Sequence, residues 1–411
     1  MFTGRGMAVV GGALLLWLGA RTLGATDLHV VSVGLLLLAP FAAALVRWRQ
    51  HELTLTRRLS TRRAFPGSRV RVDLEVRNAG RSNTSVLLLE DRLPPSLGRA
   101  ARAVLTGIPP RGRQTVSYSI GCRTRGRYFI GPLFAHVSDP FDLSRRRIEF
   151  AGRQELVVYP EVEDLRSPRD IVGGVGSGES TARQLFRTGD EFYTMRHYEI
   201  GDDLRRIHWR STARTGELMI RQDEAARRAM AVLFLDTRVR ALGGRPETFE
   251  KGVSAAASVG SHYVQAGFSL RMATPDLLPH AVSREEFLEI LAVVTATRSR
   301  LLTPSLLRLR GQAVAGATLI AVTHLLLPEE IPALTGATSG YGPRVAIMVY
   351  PQDPDDLPAE RRAEIQAWAH AARTSLARAG WDVVLLSPRR RLADVWQLRA
   401  TNAPRTVASS F

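Results

Sequence analysis

The sequence predicts a mixed fold in three parts: an N-terminal transmembrane α-hairpin, an antiparallel β-sandwich, and an α/β domain built on a parallel sheet. Three observations predict it. Two apolar runs of about 20 residues stand almost back to back at the start, each near the length that spans a bilayer as helix. Strict alternation of apolar and polar residues follows, as in "RVRVDLEVR" (Arg69 to Arg77). After Met230, near-continuous apolar strands alternate with helical patterns. The expected boundaries are 1–48 for the two helices, 49–160 for the sandwich, 161–228 for a connector, 229–400 for the α/β domain and 401–411 for a tail.

The first apolar run, Met7 to Thr26, carries one charge, Arg21, near its end, where the side chain can snorkel to an interface. The second, Leu28 to Val46, has no Asp, Glu, Lys or Arg. A cleaved signal peptide would also show Arg5 before an apolar run, but the paired runs are expected to form a hairpin. Arg47, Arg49, Arg57, Arg58, Arg62 and Arg63 follow the second run, so the large C-terminal portion is expected on the cytoplasmic side of the membrane. A third apolar run, Ala313 to Leu327, is short and contains His324, and reads as a buried strand.

Charge narrows the partners. The formal net charge is +17, and Arg47 to Arg127 holds 18 arginines against five acids. The excess therefore follows the apolar runs, where anionic lipid headgroups are the nearest polyanion. Tyr198 to Arg228 is nearly neutral, with seven arginines and six acids, a poor grip for a phosphate backbone, and no nucleic-acid partner is expected. Every basic residue of the Lys/Arg class except Lys251 is arginine, and no Gly-Lys-Ser/Thr loop surrounds Lys251, which excludes a Walker-type ATP site. Cys122 is the single cysteine, so an intrachain disulfide and a cysteine-based zinc site are excluded. The histidines are scattered, and no metal or cofactor is expected.

In the sandwich, Val70, Val72, Leu74 and Val76 share one face, and Val116, Tyr118, Ile120 and Cys122 alternate again. Short strands with turn signals between them suggest an immunoglobulin-like arrangement, with most arginines on outward positions. In the α/β domain, "AMAVLFLD", "FSLRMAT", "ATLIAVTHLL", "RVAIMVYP" and "WDVVLLSP" read as strands, and Gly380 stands just past its helix as a stop. Ligand crevices of such sheets lie at the carboxyl ends of strands. The first strand ends "LDTRVR", Asp236 to Arg240, and resembles the start of a von Willebrand factor A domain, a Rossmann-type fold. In that resemblance an Asp-x-Ser-x-Ser loop ligates a divalent ion, whereas here Arg238 and Arg240 stand in place of both serines. Guanidinium groups only donate, so the ion site is expected to be degenerate, with Asp236 paired to one of the arginines.

Between the two lies "RHYEIGDDLRRIHWRSTARTGEL", Arg196 to Leu218. Gly201 and Asp202 form a turn, and Asp202 or Asp203 is expected to cap a helix starting at Leu204, with Leu204, Ile207 and Ser211 on one face. Trp209 is expected to cover a neighbouring domain edge. An enzyme reading would use Asp202 or Asp203 with His208 as acid and base and Ser211 as nucleophile. No metal or credible nucleophile supports it, so no catalytic residue is assigned.

This segment resembles the signature of the bacterial "domain of unknown function 58" family. Arg196, Tyr198, Gly201, Asp202, Arg205, Ile207, Trp209, Ala213 and Arg214 match its pattern, Asp203 lies within it, and Thr212 replaces an expected serine. "RGRYFIGPLFAHVSDPFDL" (Arg125 to Leu143) resembles the family's upstream segment, with Asp142 where glycine is expected. The resemblance implies a partner, a MoxR-type AAA+ ATPase, and carries over no catalytic residues. The expected function is therefore a membrane-anchored, non-catalytic adaptor in protein maturation or envelope-related assembly. The alternatives are a membrane-associated hydrolase using the connector carboxylates and His208, or an adhesion-type binding protein.

Overall fold

The computed structural model describes residues 3–48, 53–84, 86–139, 141–165, 194–198, 207, 209–222, 229–241, 245–298 and 301–402. The chain divides into two compact units, Met1–Pro160 and Glu161–Phe411.

The first unit opens with α1 (Gly4–Leu23) and α2 (Thr26–Trp48). Gly24, at φ +64°, closes α1 in the left-handed conformation that glycine adopts without strain, and returns the chain as a hairpin. Where the helices meet the rest of the unit, small residues are buried: Gly6, Ala13 and Ala20 of α1, Ser32, Ala39 and Ala42 of α2. Leu14, Leu15, Leu18, Val30, Leu37 and Phe41 are exposed. Small inside and large apolar outside is the pattern of helices solvated by lipid. Both are long and apolar enough to cross a membrane.

Ten strands follow: β1 (Leu53–Leu59), β2 (Arg63–Ala64), β3 (Arg69–Asn78), β4 (Leu87–Asp91), β5 (Ala101–Leu105), β6 (Arg113–Gly121), β7 (Gly126–Ile130), β8 (Leu133–Ser138), β9 (Arg145–Phe150) and β10 (Gln154–Val158). They form sheets of order β1-β3-β6, β2-β10-β7 and β5-β4-β8-β9, antiparallel except for the short β2–β10 pair. The alternation read in β3 is its burial pattern, with Val70, Val72, Leu74 and Val76 inward. They share a core with Leu87, Leu89, Ile120, Ile130, Leu133, Ala135, Val137 and Leu156.

One arginine departs from the outward role expected of the group. Arg57 is buried and forks onto buried Asp91, with Nε–H donating to Oδ2 at 3.0 Å and Nη2–H to Oδ1 at 2.6 Å. Its Nη1 donates to the carbonyls of Ile130 and Gly152, and Tyr118 Oη donates to Asp91 Oδ2 at 2.7 Å. A buried charge pair is tolerated when its remaining donors and acceptors are also met, as here. Gly131, at φ +109°, leaves room for it, because a Cβ there would stand 3.0 Å from both terminal guanidinium nitrogens.

The second unit begins with a two-stranded antiparallel pair, β11 (Thr194–His197) and β12 (Met219–Gln222), with α3 (Trp209–Thr215) between them in sequence. Its main sheet contains β13 (Met230–Leu235), β14 (Ser269–Ala273), β15 (His280–Val282), β16 (Thr318–His324), β17 (Arg344–Val349) and β18 (Trp381–Leu386). The helices are α4 (Pro246–Gln265), α5 (Arg284–Val293), α6 (Thr303–Gly311), α7 (Glu330–Ala337), α8 (Ala359–Arg378) and α9 (Leu392–Asn402).

The sheet order is β15-β14-β13-β16-β17-β18. All pairs are parallel except β14–β15, so the predicted parallel sheet carries one antiparallel edge strand. Strand β16 is buried throughout, which is where the third apolar run of the sequence lies. Because successive side chains alternate, β13 sends Val232 and Phe234 into a core with Leu306, Leu309, Leu334, Ala369 and Leu376 of α6, α7 and α8. Helix α4 packs on β13, β14, β16 and β17, burying Val253, Ala256 and Val259. Helix α5 is started by a capping box between Ser283 and Glu286. Residues ahead of the β11–β12 pair are also tied in. Buried Glu163 accepts from Lys251 Nζ at 3.0 Å and from the Ala393 N–H at the start of α9.

Candidate functional site

Strand β13 is the first of the parallel strands, and its two neighbours, β14 and β16, are reached by connections running to opposite sides. That reversal opens the crevice at the carboxyl ends of β13 and β16 where doubly wound sheets bind ligands. Asp236 sits there, directly after β13, its N–H donating to the Val322 carbonyl at 2.9 Å. Thr323 and His324 end β16, and Glu330 opens α7.

These side chains close on one another. Arg238 Nε–H donates to Asp236 Oδ1 at 2.9 Å and Nη2–H to Oδ2 at 2.7 Å, a bidentate pair. Arg238 Nη1–H donates to Glu330 Oε1 at 2.9 Å. His324 Nε2 lies 3.1 Å from Glu330 Oε2, and its Nδ1 lies 3.7 Å from Asp236 Oδ2. Thr323 Oγ1 donates to Asp236 Oδ2 at 3.1 Å, and the Leu327 N–H to Glu330 Oε2 at 3.0 Å. Arg238 is fixed from the other side by a bridge to Thr297, whose N–H donates to the Thr237 carbonyl.

Two carboxylates thus face one guanidinium and one imidazole, all buried or nearly so. Burial alone pushes the Asp236 carboxyl up, but the nearby His324, the hydrogen bonds from Arg238 and the Arg238 charge outweigh it and hold the group below the ordinary carboxylate range. Glu330 behaves likewise: burial opposes ionisation, His324 and the Leu327 N–H favour it, and its pKa falls to about 2. For His324 burial favours the neutral ring, while the nearby Asp236 carboxylate and the contact with Glu330 at 3.1 Å raise its pKa above the usual value. With His324 charged the network is formally neutral.

The arrangement leaves little for a hard cation. Both Asp236 oxygens already accept from Arg238, and a guanidinium stands where oxygen ligands would be needed. Among the described residues no group of three His, Cys, Asp or Glu side chains is placed to hold a metal ion. The residues present do not fit the divalent ion of the Asp-x-Ser-x-Ser loop. Arg240, the second arginine of that loop, is exposed in a turn and takes no part in the network.

The signature segment is only partly described. Gly201, Asp202, Asp203, Arg205 and His208 lie outside the described residues, so the turn, the cap and the acid–base pair expected of them do too. Arg196 is on β11, opposite Ile220 of β12, and the Tyr198 N–H donates to the Leu218 carbonyl at 2.8 Å. Of the helix expected from Leu204, Leu204 to Arg206 and His208 lie outside the described residues. Ile207 forms a β-bridge, and a residue whose backbone is committed to extended pairing cannot be helical; the described helix α3 starts at Trp209. Trp209 is 68% exposed, and none of the seven α3 residues is buried. Ala213 and Arg214 are exposed on the same helix, and Ser211 is half-buried in it. Thr212, the departure from the signature, has a visible role: its Oγ1 accepts the Met219 N–H at 3.1 Å and ties α3 to β12.

Sequence reading reached Asp236 and Arg238 but not Thr323, His324 or Glu330. Their signal was faint: polar residues ending an otherwise apolar buried strand, and a glutamate opening the helix behind it.

Comparison with known proteins places these features. Residues 194–365 match the model of the family described as "Protein of unknown function DUF58", a span that includes the β11–β12 segment and the whole network at Asp236. The "Uncharacterized protein YeaD" of Bacillus subtilis (strain 168) is 24% identical over 227 residues, 53% of this chain and 55% of that protein. The chain thus matches about half the length of that curated relative. Among solved structures, the CARDB domain of the PF1109 protein from Pyrococcus furiosus covers 26% of this chain and 88% of its own at 11% identity and a TM-score of 0.20. The alkylpurine DNA glycosylase AlkC of Pseudomonas fluorescens covers 32% of this chain and 38% of its own at 10% identity and a TM-score of 0.18. Likenesses this slight define neither fold nor function. What the family match supports, and the distant relative agrees with, is a DUF58 region over residues 194–365 of this chain.

Proposed function

We propose that this protein is a membrane-tethered adaptor that binds other proteins through the carboxyl end of its parallel sheet, while a separate MoxR-type AAA+ ATPase supplies energy. In this reading the first unit is an immunoglobulin-like β-sandwich and the second a von Willebrand factor A-like domain with a degenerate ion site. The strand order and the antiparallel edge strand support that assignment. Helices α1 and α2 are a bilayer-spanning hairpin, with both soluble units on the cytoplasmic side.

One observation carries the proposal. The crevice of the sheet is filled by the Asp236–Arg238–Glu330–His324 network, and exposed apolar side chains stand beside it: Val239, next to Arg238, and Leu327, whose N–H donates to Glu330. A filled crevice with a fixed apolar rim favours a protein surface over a small ligand. The ATPase as energy source rests on the family resemblance and on the lack of a Walker-type loop.

Pull-down of the detergent-solubilised protein from its own host tests the proposal. An AAA+ ATPase should co-purify with wild type, and Val239→Asp with Leu327→Asp should lose the bound proteins while thermal unfolding stays unchanged. If no ATPase co-purifies, or if the double variant retains every partner, the adaptor reading falls. Protease accessibility in spheroplasts against inverted vesicles tests the side of the membrane.

A further inference from the structure

The turn between β8 and β9 is held against the first turn of α1. The Thr3 N–H donates to the Leu143 carbonyl at 3.0 Å, and Thr3 Oγ1 donates to the Asp142 carbonyl while accepting from the Gly6 N–H. Gly6 permits the approach, since a Cβ there would lie 2.2 Å from the Leu143 carbonyl oxygen. The described residues of the turn are held by hydrogen bonds. Asp139 accepts from the N–H groups of Phe141 and Ser144, Asp142 adopts φ +54°, and Leu143 is buried. Helix α2 packs against β9 from the same unit.

The turn presents Phe141 to the outside at 63% exposure. The acids of the turn do not face outward with it, because Asp139 is taken up by backbone N–H groups and Asp142 pairs with Arg145 at 3.1 Å. Arg146, the second residue of β9, and Arg5, two residues after the Thr3 that bonds this turn, are exposed as well. An exposed aromatic and exposed arginines on segments tied to the end of an apolar helix make up the composition of a bilayer interface.

We infer that the β8–β9 turn is a second membrane contact, in which Phe141 enters the interface and Arg5 and Arg146 bind anionic phospholipid headgroups of the bilayer that α1 and α2 span. The inference rests on the hairpin reading of those helices. The contact adjoins α1, whose exposed large side chains are apolar, through the bonds at Thr3.

Site-directed spin labelling of the full chain in vesicles tests it. The one native cysteine, Cys122, is buried, so wild type should label weakly. Three single-cysteine additions are compared: Phe141→Cys, Leu15→Cys on the exposed side of α1, and Val104→Cys on β5, which is 60% exposed. Accessibility to oxygen and to a water-soluble nickel chelate is read in phosphatidylglycerol and in phosphatidylcholine vesicles. The inference expects chelate access at F141C to be several-fold below that at V104C, and lowest with phosphatidylglycerol. Arg5→Gln with Arg146→Gln should remove the dependence on anionic lipid. If L15C is lipid-exposed while F141C matches V104C, the turn is no membrane contact and the hairpin stands. If L15C is itself aqueous, the hairpin reading and this inference both fall. If F141C is shielded equally in both lipids, the headgroup assignment is wrong.

Discussion

Removal of Arg238 is the sharpest test of the network. In Arg238→Met the stem is kept and the guanidinium lost, so Asp236, fully buried, loses two charge-assisted bonds at 2.9 and 2.7 Å, and Glu330 loses one at 2.9 Å. Such bonds contribute about 1.5–3 kcal/mol each, but the dominant cost is the carboxylate left behind. Breaking a buried pair from one side typically costs about 3–5 kcal/mol. Thr323 and the Arg238 N–H still donate to Asp236, which puts the expected loss at the lower end, about 3 kcal/mol. Replacing Asp236 by Asn as well removes the stranded charge, so the double variant should be more stable than R238M alone by about 1–2 kcal/mol. Urea unfolding of the solubilised protein reports this through tryptophan fluorescence, because Trp381 and Trp396 are buried in the second unit. The loss in R238M should also shrink at acid pH, where Asp236 can take up a proton. An R238M protein within about 0.5 kcal/mol of wild type would show that the pair is incidental.

Stability should also depend on pH through the same groups, with signs set by their shifts. Glu330, shifted from 4.5 to about 2, contributes stability that is present above its unfolded pKa and lost as pH falls towards 2. His324, raised above 6.5, contributes stability that is fully present below 6.5 and lost as pH rises through its folded value. Thermal melts across pH should therefore show an alkaline limb that His324→Gln flattens and an acid limb that Glu330→Gln flattens; an unchanged alkaline limb in H324Q would remove His324 from the account. In the first unit, Arg57→Met leaves Asp91 buried with only Tyr118 Oη among the side-chain donors named above, at a cost of about 3–5 kcal/mol. Hydrogen exchange at β4 and β7 should accelerate, and normal protection there would refute it. Gly260→Ala places a Cβ 2.4 Å from the ring of buried Phe287, an overpacking that should cost about 1–3 kcal/mol in urea unfolding. A neutral result would mean that α4 and α5 can part more easily than their contact suggests.

Much of the fold was written in local pattern. The alternation of Val70 to Val76 gave β3, and the unbroken apolar runs at β13 and β16 marked strands covered on both faces. Strand β15 was not legible, since three residues, His280 to Val282, are too few to show a period. The buried pair in the first unit did leave a trace. Arg57 follows Leu53 and Leu55 at every second position of β1, and Asp91 follows Leu87 and Leu89 in β4, so each charge occupies an inward slot of its strand. A charge on the inward parity of two strands signals a buried pair, and the count of arginines alone hides it. At the sheet's crevice the balance is reversed. Asp236 and Arg238 are two residues apart and their pairing follows from chemistry, whereas Glu330 lies 92 positions from Arg238 and joins only once the parallel sheet sets β16 beside β13.

The protonation states bear on what the crevice can do. General acid–base chemistry near neutrality favours a group whose pKa lies near the working pH. Asp236 and Glu330 are both held below the ordinary carboxylate range, and the His324 pKa is raised above its usual value. Each ionised group stabilises its neighbour's charge. The network also fixes geometry. Arg238 joins the end of β13 to the start of α7, Thr297 is pinned to the same loop, and Leu327 is fixed by Glu330. Loops held this way can present Val239 and Leu327 to a partner with little ordering left to do on binding, which is where preorganised surfaces gain affinity. On this argument the arginine at position 238 does what a bound divalent ion could do for such loops, holding two strand ends and a helix start together, but without exchanging with solution.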